Sequence, residues 1–371
     1  MRILVLNWRD IKNPIKGGAE VATHELAKRW TYYGNRVTQF SSYFPGARKN
    51  EIIDKIKIIR EGNPDMRSLH NSVQFKAMLY YQKNKEKFDL VIDQMHGIPF
   101  FSPLYIRKKK VLFICEVAKD IWYESFGYAL GLAGRLIEKV LLSSIYRNMP
   151  VLTISESTKK DLISVGTPVG NIKVIKLGFT RQPILEKKIK KEKELALIYL
   201  GRLTKSKGIE DAIYAFSKIK KIIPETTLWV VGNGTIEYEK YIKMLSEELG
   251  IRDVLFYGFI PEKEKFLLLC RAHMLIFPSI REGWGLTAIE ANSVKTPVVA
   301  YNSPGLRDSI VHGKTGLLCK ENNPSELANN VIDLFRNKKL YKKLQIGGYE
   351  WSKQFSWKQA GRESLNFLSS V

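Results

Sequence analysis

Short apolar runs alternate along the chain with longer stretches in which apolar residues recur every three or four positions. Residues 3–7, 37–41, 90–93, 111–115 and 151–154 read as buried strands. Residues 21–33 read as a helix, and so does the segment carrying Leu130, Ala133, Leu136, Ile137, Val140, Leu141 and Ile145 at amphipathic spacing. Strands separated by helices of this length predict a parallel sheet wrapped by helices. The pattern breaks over residues 178–193, where 187–193 is almost entirely charged, and then restarts. A strand at 195–200, a helix at 209–221 and strands at 228–231, 254–256, 274–277 and 297–300 follow. The expectation is an α/β chain of two doubly wound, Rossmann-like units facing each other across a cleft. The first covers 1–180 and the second 181–348. A C-terminal helix, 349–371, anchored by Trp351, Phe355 and Trp357, packs back toward the first unit. Ligands of such sheets bind outside the carboxyl ends of the strands.

Composition narrows the partners. Of 371 residues 44% are hydrophobic, enough for substantial cores, so wholesale disorder is excluded. Cys115, Cys270 and Cys319 are far apart, without metal or redox spacing, which suits a reducing, cytoplasmic setting. The first strand is too short for a signal peptide, and the most apolar stretch, 129–145, is interrupted by Arg135, Glu138 and Lys139, so no membrane span is expected. The net charge of +23 attracts polyanions. No nucleic-acid-binding motif accompanies it. Phosphorylated small molecules and an anionic membrane face remain as candidate partners. The run from Arg107 to Lys110 beside the aromatic segment 99–105 is a candidate lipid contact; ordinary core packing of Phe100, Phe101 and Tyr105 is the competing reading.

The segment from Pro278 to Ala291 carries the strongest chemical signal. An apolar strand feeds a loop with Gly283, Trp284 and Gly285, and helix formers begin at Leu286. That layout aims backbone N–H groups and a helix N-terminus at one spot, a site for a diphosphate. Glu282 and Glu290 frame it as acceptors for sugar hydroxyls, one near a hexose and one near a ribose. Arg202 and Lys207, in the loop after the 195–200 strand, are cations suited to the diphosphate, an electrostatic route to a stabilised leaving group. Gly17 and Gly18 open the first helix and allow close approach of a ligand, and Gly232 sits at a strand end beside the expected nucleotide pocket. His96 is a candidate for positioning an acceptor or taking its proton, with Glu116 and Asp120 as rivals. No cluster has metal-ligand spacing and no Asp-x-Asp motif occurs, so neither a metal nor another cofactor is expected.

Taken in order, Gly17-Gly-Ala-Glu20, Gly201-Arg-Leu with Lys207-Gly208, Val231-Gly-Asn-Gly234, Gly258-Phe-Ile-Pro261, Glu282-Gly-Trp-Gly with Glu290-Ala291, Thr296-Pro-Val-Val-Ala300 and Gly313-Lys-Thr-Gly-Leu317 resemble a family 4 glycosyltransferase of the GT-B fold. The resemblance runs nearly the whole length. It implies a retaining transferase that moves a hexose from a nucleotide-diphosphate sugar to a hydroxyl on a glycan or lipid-linked acceptor, in polysaccharide or glycan assembly, at the inner face of the membrane. It also implies that Glu282 binds the hexose, Glu290 the ribose, and Arg202 and Lys207 the diphosphate. One position departs: Cys115 stands where relatives often carry a histidine, which leaves a sugar-nucleotide or glycan binder without turnover as the alternative. A phosphorylase or epimerase of the same fold is a further enzyme reading.

Overall fold

The computed structural model describes residues 1–64, 68–119, 121–180 and 189–371, with the backbone alone at 124–126. The chain divides into two units, Met1–Gly178 with Ser356–Val371, and Phe179–Phe355.

The first unit runs β1 (Arg2–Leu6), α1 (Gly18–Tyr32), β2 (Arg36–Ser41), β3 (Asn50–Ile53), β4 (Ile56–Arg60), α2 (Val73–Asn84), β5 (Leu90–Met95), α3 (Ser102–Tyr105), β6 (Lys109–Ile114), α4 (Ile121–Ser143), β7 (Val151–Thr153), α5 (Glu156–Ser164) and β8 (Ile172–Val174). Its sheet has the order β3-β4-β2-β1-β5-β6-β7-β8. All neighbours are parallel except β3, which runs antiparallel to β4 at the edge. Ile3 to Leu6 are all fully buried, because helices cover both faces of a central parallel strand. The strand order reverses between β1 and β5, so the loops after these two strands open side by side.

The second unit runs β9 (Ala196–Leu200), α6 (Ile209–Ile222), β10 (Thr227–Val231), α7 (Ile236–Glu248), β11 (Val254–Gly258), α8 (Glu262–Arg271), β12 (Met274–Phe277), α9 (Leu286–Ser293), β13 (Val298–Ala300), α10 (Leu306–Ser309), β14 (Gly316–Leu318), α11 (Pro324–Arg336) and α12 (Lys338–Ser352). Its six strands are parallel in the order β11-β10-β9-β12-β13-β14. Alternate residues of β9 feed opposite cores: Leu197 and Tyr199 pack with Phe216 and Val230, Ala196 and Ile198 with Trp229 and Leu275. Here the order reverses between β9 and β12.

The last helix, α13 (Trp357–Ser370), belongs to the first unit. It lies on α1, where Trp30 donates from Nε1 to Ser364 Oγ at 2.9 Å. The sequence reading took 349–371 as one helix outside a second unit ending at 348. Instead α12 continues to Ser352, and the chain leaves the second unit only after Phe355. The reason is packing: Trp351 donates to the Ser309 carbonyl at 2.8 Å, and Phe355 lies edge-on to both Trp351 and Trp284. Ser356 then caps α13 by accepting from the Gln359 amide.

A second difference concerns α4. The apolar positions that mark it as amphipathic do not all turn inward: Leu130, Leu136, Ile137 and Val140 are exposed. The helix is broken at Gly127, and Gly131 and Gly134 lie against Trp122 and Tyr123.

Candidate functional site

In the second unit, β9 and β12 are neighbours, so the loops leaving their carboxyl ends meet. The Ile280 amide donates to the Ser206 carbonyl at 3.1 Å, and Ser279 Oγ donates to the Arg281 carbonyl at 2.9 Å. Tyr199, inside the core, sends its hydroxyl to the carbonyls of Arg202 (3.0 Å) and Lys207 (3.2 Å). Burial holds that phenol well above its ordinary pKa, so it remains a donor that fixes the loop. Gly208 follows at φ 71°, where a Cβ would fall 2.1 Å from the Pro278 carbonyl oxygen. Only glycine lets the two loops approach this closely.

The approach brings Lys207 Nζ to 2.7 Å from Glu282 Oε1 and 3.3 Å from the Arg281 carbonyl. Both side chains are largely shielded, at 18% and 16% exposure. The backbone of Glu282 is held from the other side: its amide donates to Pro304 O at 3.0 Å, and Gly305, at φ 81°, leaves room for its carbonyl. Arg202 is exposed at the end of β9. Gly283 continues the loop. Gly285 is the N-cap of α9, at φ 75°, and Leu286 opens the helix without a side-chain cap, so its first amides face outward along the axis.

Glu290 lies on α9, buried, with its Oε1 2.8 Å from Lys265 Nζ; that ammonium also pairs with Glu262 at 2.8 Å. Burial pushes the Glu290 carboxyl up against the pull of Lys265. Burial lowers the Lys265 ammonium, but the charges of Glu290 and Glu262 outweigh it and leave it raised. Lys265 escaped the sequence reading, since nothing in the spacing of α8 and α9 announces a pair 25 residues apart.

Two of the expected ligand contacts, Trp284 and Gly232, also have packing contacts. The Trp284 indole is buried against Phe355 at 5.4 Å, so this segment offers backbone, not an aromatic face. Gly232, at φ 132°, is required because a Cβ would fall 1.9 Å from the Gly201 carbonyl oxygen, and its amide already donates to Gly258 O.

In the first unit, Gly17 and Gly18 lie between β1 and α1. Neither has a positive φ, and nothing lies within 4 Å of where a Gly18 Cβ would sit. The Gly17 amide donates to Glu20 Oε2 at 2.6 Å, and the buried Glu20 Oε1 has no partner among the described residues. Gln94 ties this helix start to β5, accepting from Thr23 Oγ1 at 2.6 Å and donating to Ala19 O at 3.3 Å. The same β1–α1 connection is anchored by Asp10, which takes a two-pronged bond from the buried Arg60 at 2.6 and 2.9 Å.

His96, after β5, lies 5.5 Å from the Trp8 ring and lines a cavity of about 280 Å³ with Gln74, Glu116, Ile121 and Trp122. Cys115 is buried, and burial pushes its thiol up, so it carries no acid–base chemistry near neutral pH. Glu116 is the group from that strand end that reaches the cavity. Asp120 lies outside the described residues. Phe100 is buried in the core and Phe101 and Tyr105 pack half-buried against their cores, while Leu104 is exposed. Among the described residues no three His, Cys, Asp or Glu side chains converge.

The family model for glycosyl transferases group 1 matches residues 180–351, and that for glycosyltransferase family 4 matches residues 16–181. The chain belongs to glycosyltransferase family 4. Among relatives of the chain, glycogen synthase of Mycobacterium tuberculosis is 30% identical over 208 residues, 55% of this chain and 50% of that one. D-inositol 3-phosphate glycosyltransferase of Corynebacterium jeikeium is 35% identical over 179 residues, 46% of this chain and 42% of that one. The chain thus spans about half the length of these curated relatives. Solved structures share the fold over the whole length of the chain. Sucrose-phosphate synthase from Thermosynechococcus elongatus superposes with a TM-score of 0.83 at 19% identity, over 100% of this chain and 98% of that one. Anabaena Alr3699/HepE in complex with UDP-glucose superposes at 0.79 and 18%, over 100% of both. The fold of two doubly wound units is the GT-B fold.

Proposed function

We propose that the chain is a retaining glycosyltransferase that moves a hexose from a nucleotide-diphosphate sugar to a hydroxyl of a glycan or lipid-linked acceptor, working in the cytoplasm at the inner face of the membrane. The observation that carries the reading is the Lys207–Glu282 contact at the β9/β12 switch point, beside the uncapped start of α9. A cation for phosphate and a carboxylate for hydroxyls stand there in one place. The Anabaena neighbour solved with UDP-glucose supports a donor of that class.

The arriving diphosphate competes for Lys207, with Arg202 and the amides of Gly283, Gly285 and Leu286 as further donors. Glu282 is then released to accept hydroxyl protons of the hexose. Glu290, steadied by Lys265, offers its second oxygen to the ribose. The bond from the anomeric carbon to the leaving phosphate oxygen breaks as the acceptor oxygen attacks on the same face. The acceptor proton passes to the departing diphosphate, whose growing charge the two cations stabilise. In the first unit, His96 and Glu116 orient the acceptor hydroxyl from the cavity they line, and Gly17 and Gly18 leave the start of α1 open to a ligand. No metal is assigned a role, because side chains supply the positive charge.

The test follows product by mass spectrometry with a panel of nucleotide sugars and hydroxyl acceptors. Glu282→Gln and Lys207→Ala each lower transfer by about a hundredfold or more, with melting temperatures retained and EDTA without effect. Turnover like that of the parent chain in either variant sinks the site. Donor binding without turnover on any acceptor sinks the transferase and leaves a binder.

A further inference from the structure

We propose that the first unit binds a phosphorylated, ring-bearing small molecule in a second cavity, at the amino ends of its strands. Arg2 and Arg36 open β1 and β2 and stand side by side in the register, and Lys57 of β4 is opposite Thr38 of β2. Side chains two residues apart share a face of a strand. Arg36 with Thr38, and Lys57 with Ile59, therefore project to one side, the side that α2 covers. There they line a cavity of about 550 Å³, bounded by Tyr80 and Asn84 from the end of α2 and by Lys87 and Phe88 ahead of β5. This is the size of a small-ligand pocket. It lies at the opposite edge of the sheet from Gly17, His96 and Glu116, which follow the carboxyl ends of their strands.

The charges around this cavity do not balance. Four cations line it against one carboxylate, Glu61, and Glu61 already faces Lys76 at 3.8 Å. Arg2 is taken up by Asp89, its Nε 3.1 Å from Oδ1. Arg36, Lys57 and Lys87 have no carboxylate partner among the described residues; Lys87 Nζ donates to Asn84 Oδ1 at 2.9 Å. Like charges on neighbouring strands repel, and an anion placed between them relieves the repulsion. Phosphate suits these donors, with Arg as a planar fork and Lys as a point charge. The rest of the wall is apolar. Ile59 and Phe88 are buried, and the half-buried Tyr80 ring is held by Phe40 at 5.2 Å and Phe88 at 6.2 Å. An aromatic face beside cations fits a ring that carries phosphate, as in a nucleotide or a sugar phosphate. A hollow of this size takes one such molecule, whereas a polymer or a bilayer needs an extended surface.

Hydrogen exchange read by mass spectrometry on the full chain, at rising ligand concentration, follows protection of β2, β4 and residues 80–88 separately from any in the second unit. ATP and glucose 6-phosphate are the ring-bearing probes, tripolyphosphate and inorganic phosphate their ringless counterparts. At least one ring-bearing probe is expected to protect these segments at a concentration lower by about fivefold or more than its counterpart needs, the share a stacked ring supplies; which probe does so identifies the carrier. Arg36→Glu with Lys57→Glu raises that concentration by about a hundredfold or more, since two charge-assisted bonds are lost. Tyr80→Leu brings the ring-bearing probe to the level of its counterpart. Lys160→Glu with Lys173→Glu, at exposed positions of the same unit and with the same change in net charge, leaves binding unchanged. Circular dichroism confirms that each variant is folded. The proposal is overturned if neither ring-bearing probe protects these segments, or if the ringless counterparts bind as tightly. It is also overturned if the Arg36 and Lys57 double variant or Tyr80→Leu binds like the parent, or if the Lys160 and Lys173 double variant loses binding equally. No sugar transfer enters the readout, so its outcome is independent of the function proposed above.

Discussion

At the residue scale, the proposed donor site rests on close backbone approaches that most side chains would block. Gly208, Gly232 and Gly305 each face a carbonyl oxygen at about 2 Å from where a Cβ would lie, and each has a positive φ. Gly232→Ala is expected to cost more than about 2 kcal/mol from the backbone strain and the clash together. Urea unfolding should show a lower midpoint with an unchanged slope. Asp10→Ala removes the two-pronged partner of the buried Arg60 guanidinium but leaves its pair with Glu51 at 3.0 Å, and about 3 kcal/mol is the expected loss. Calorimetry on Asp10→Ala beside Arg60→Ala and the double variant would separate the pair from its parts. The glycines and acids of these motifs were visible in the sequence. The partner of each was not, because Lys265 with Glu290 and Gly305 with Glu282 meet only across the fold.

At the scale of elements, adjacency in the sheet decides which loops cooperate. Lys207 and Glu282 are 75 residues apart, yet they meet because β9 pairs with β12. The segment leading into β9 is tied down by Lys191, which donates to Ala272 O at 2.6 Å and Thr296 Oγ1 at 2.7 Å. Burial pulls this ammonium from 10.5 down to about 8. Between those values the folded state binds fewer protons than the unfolded chain, so stability falls as pH drops from about 10.5 to about 8 and levels off below that. Lys191→Met should flatten that slope, read from denaturant midpoints at pH 7.5 and 10. The alternation of strands and helices was legible in the chain because period 2 and period 3.6 are local properties. The orientation of α4 was not: its apolar spacing suggested an amphipathic helix, and the contact of Gly131 and Gly134 with Trp122 and Tyr123 turned the larger residues outward.

At the scale of the molecule, the first unit is closed by residues from the far end of the chain. Trp30 is fully buried under α13, and a Cβ at Gly361 would fall 2.4 Å from the Arg29 Cβ. Ending the chain at Ser356 uncovers that indole and is expected to destabilise the first unit by roughly 3 kcal/mol or more. The second unit, whose own core holds Trp351 and Phe355, keeps its stability. Calorimetry resolves this if the two units unfold separately, since a two-unit chain need not melt in one step. Whichever nucleotide sugar of a panel binds the proposed donor site should, at a hundredfold excess over its dissociation constant, stabilise the second unit by about 2.7 kcal/mol, which identifies its transition.

The chain by itself determined two doubly wound halves, the break near residue 180, and the glycines, carboxylates and cations at strand ends, because hydrophobic period, turn residues and charge are written locally. Tertiary structure alone decided which strand ends adjoin, which carboxylate each lysine meets, that Cys115 is buried while Glu116 lines a cavity, and that the last helix completes the first unit. These depend on strand order and on contacts between residues tens to hundreds of positions apart, and no local pattern encodes them.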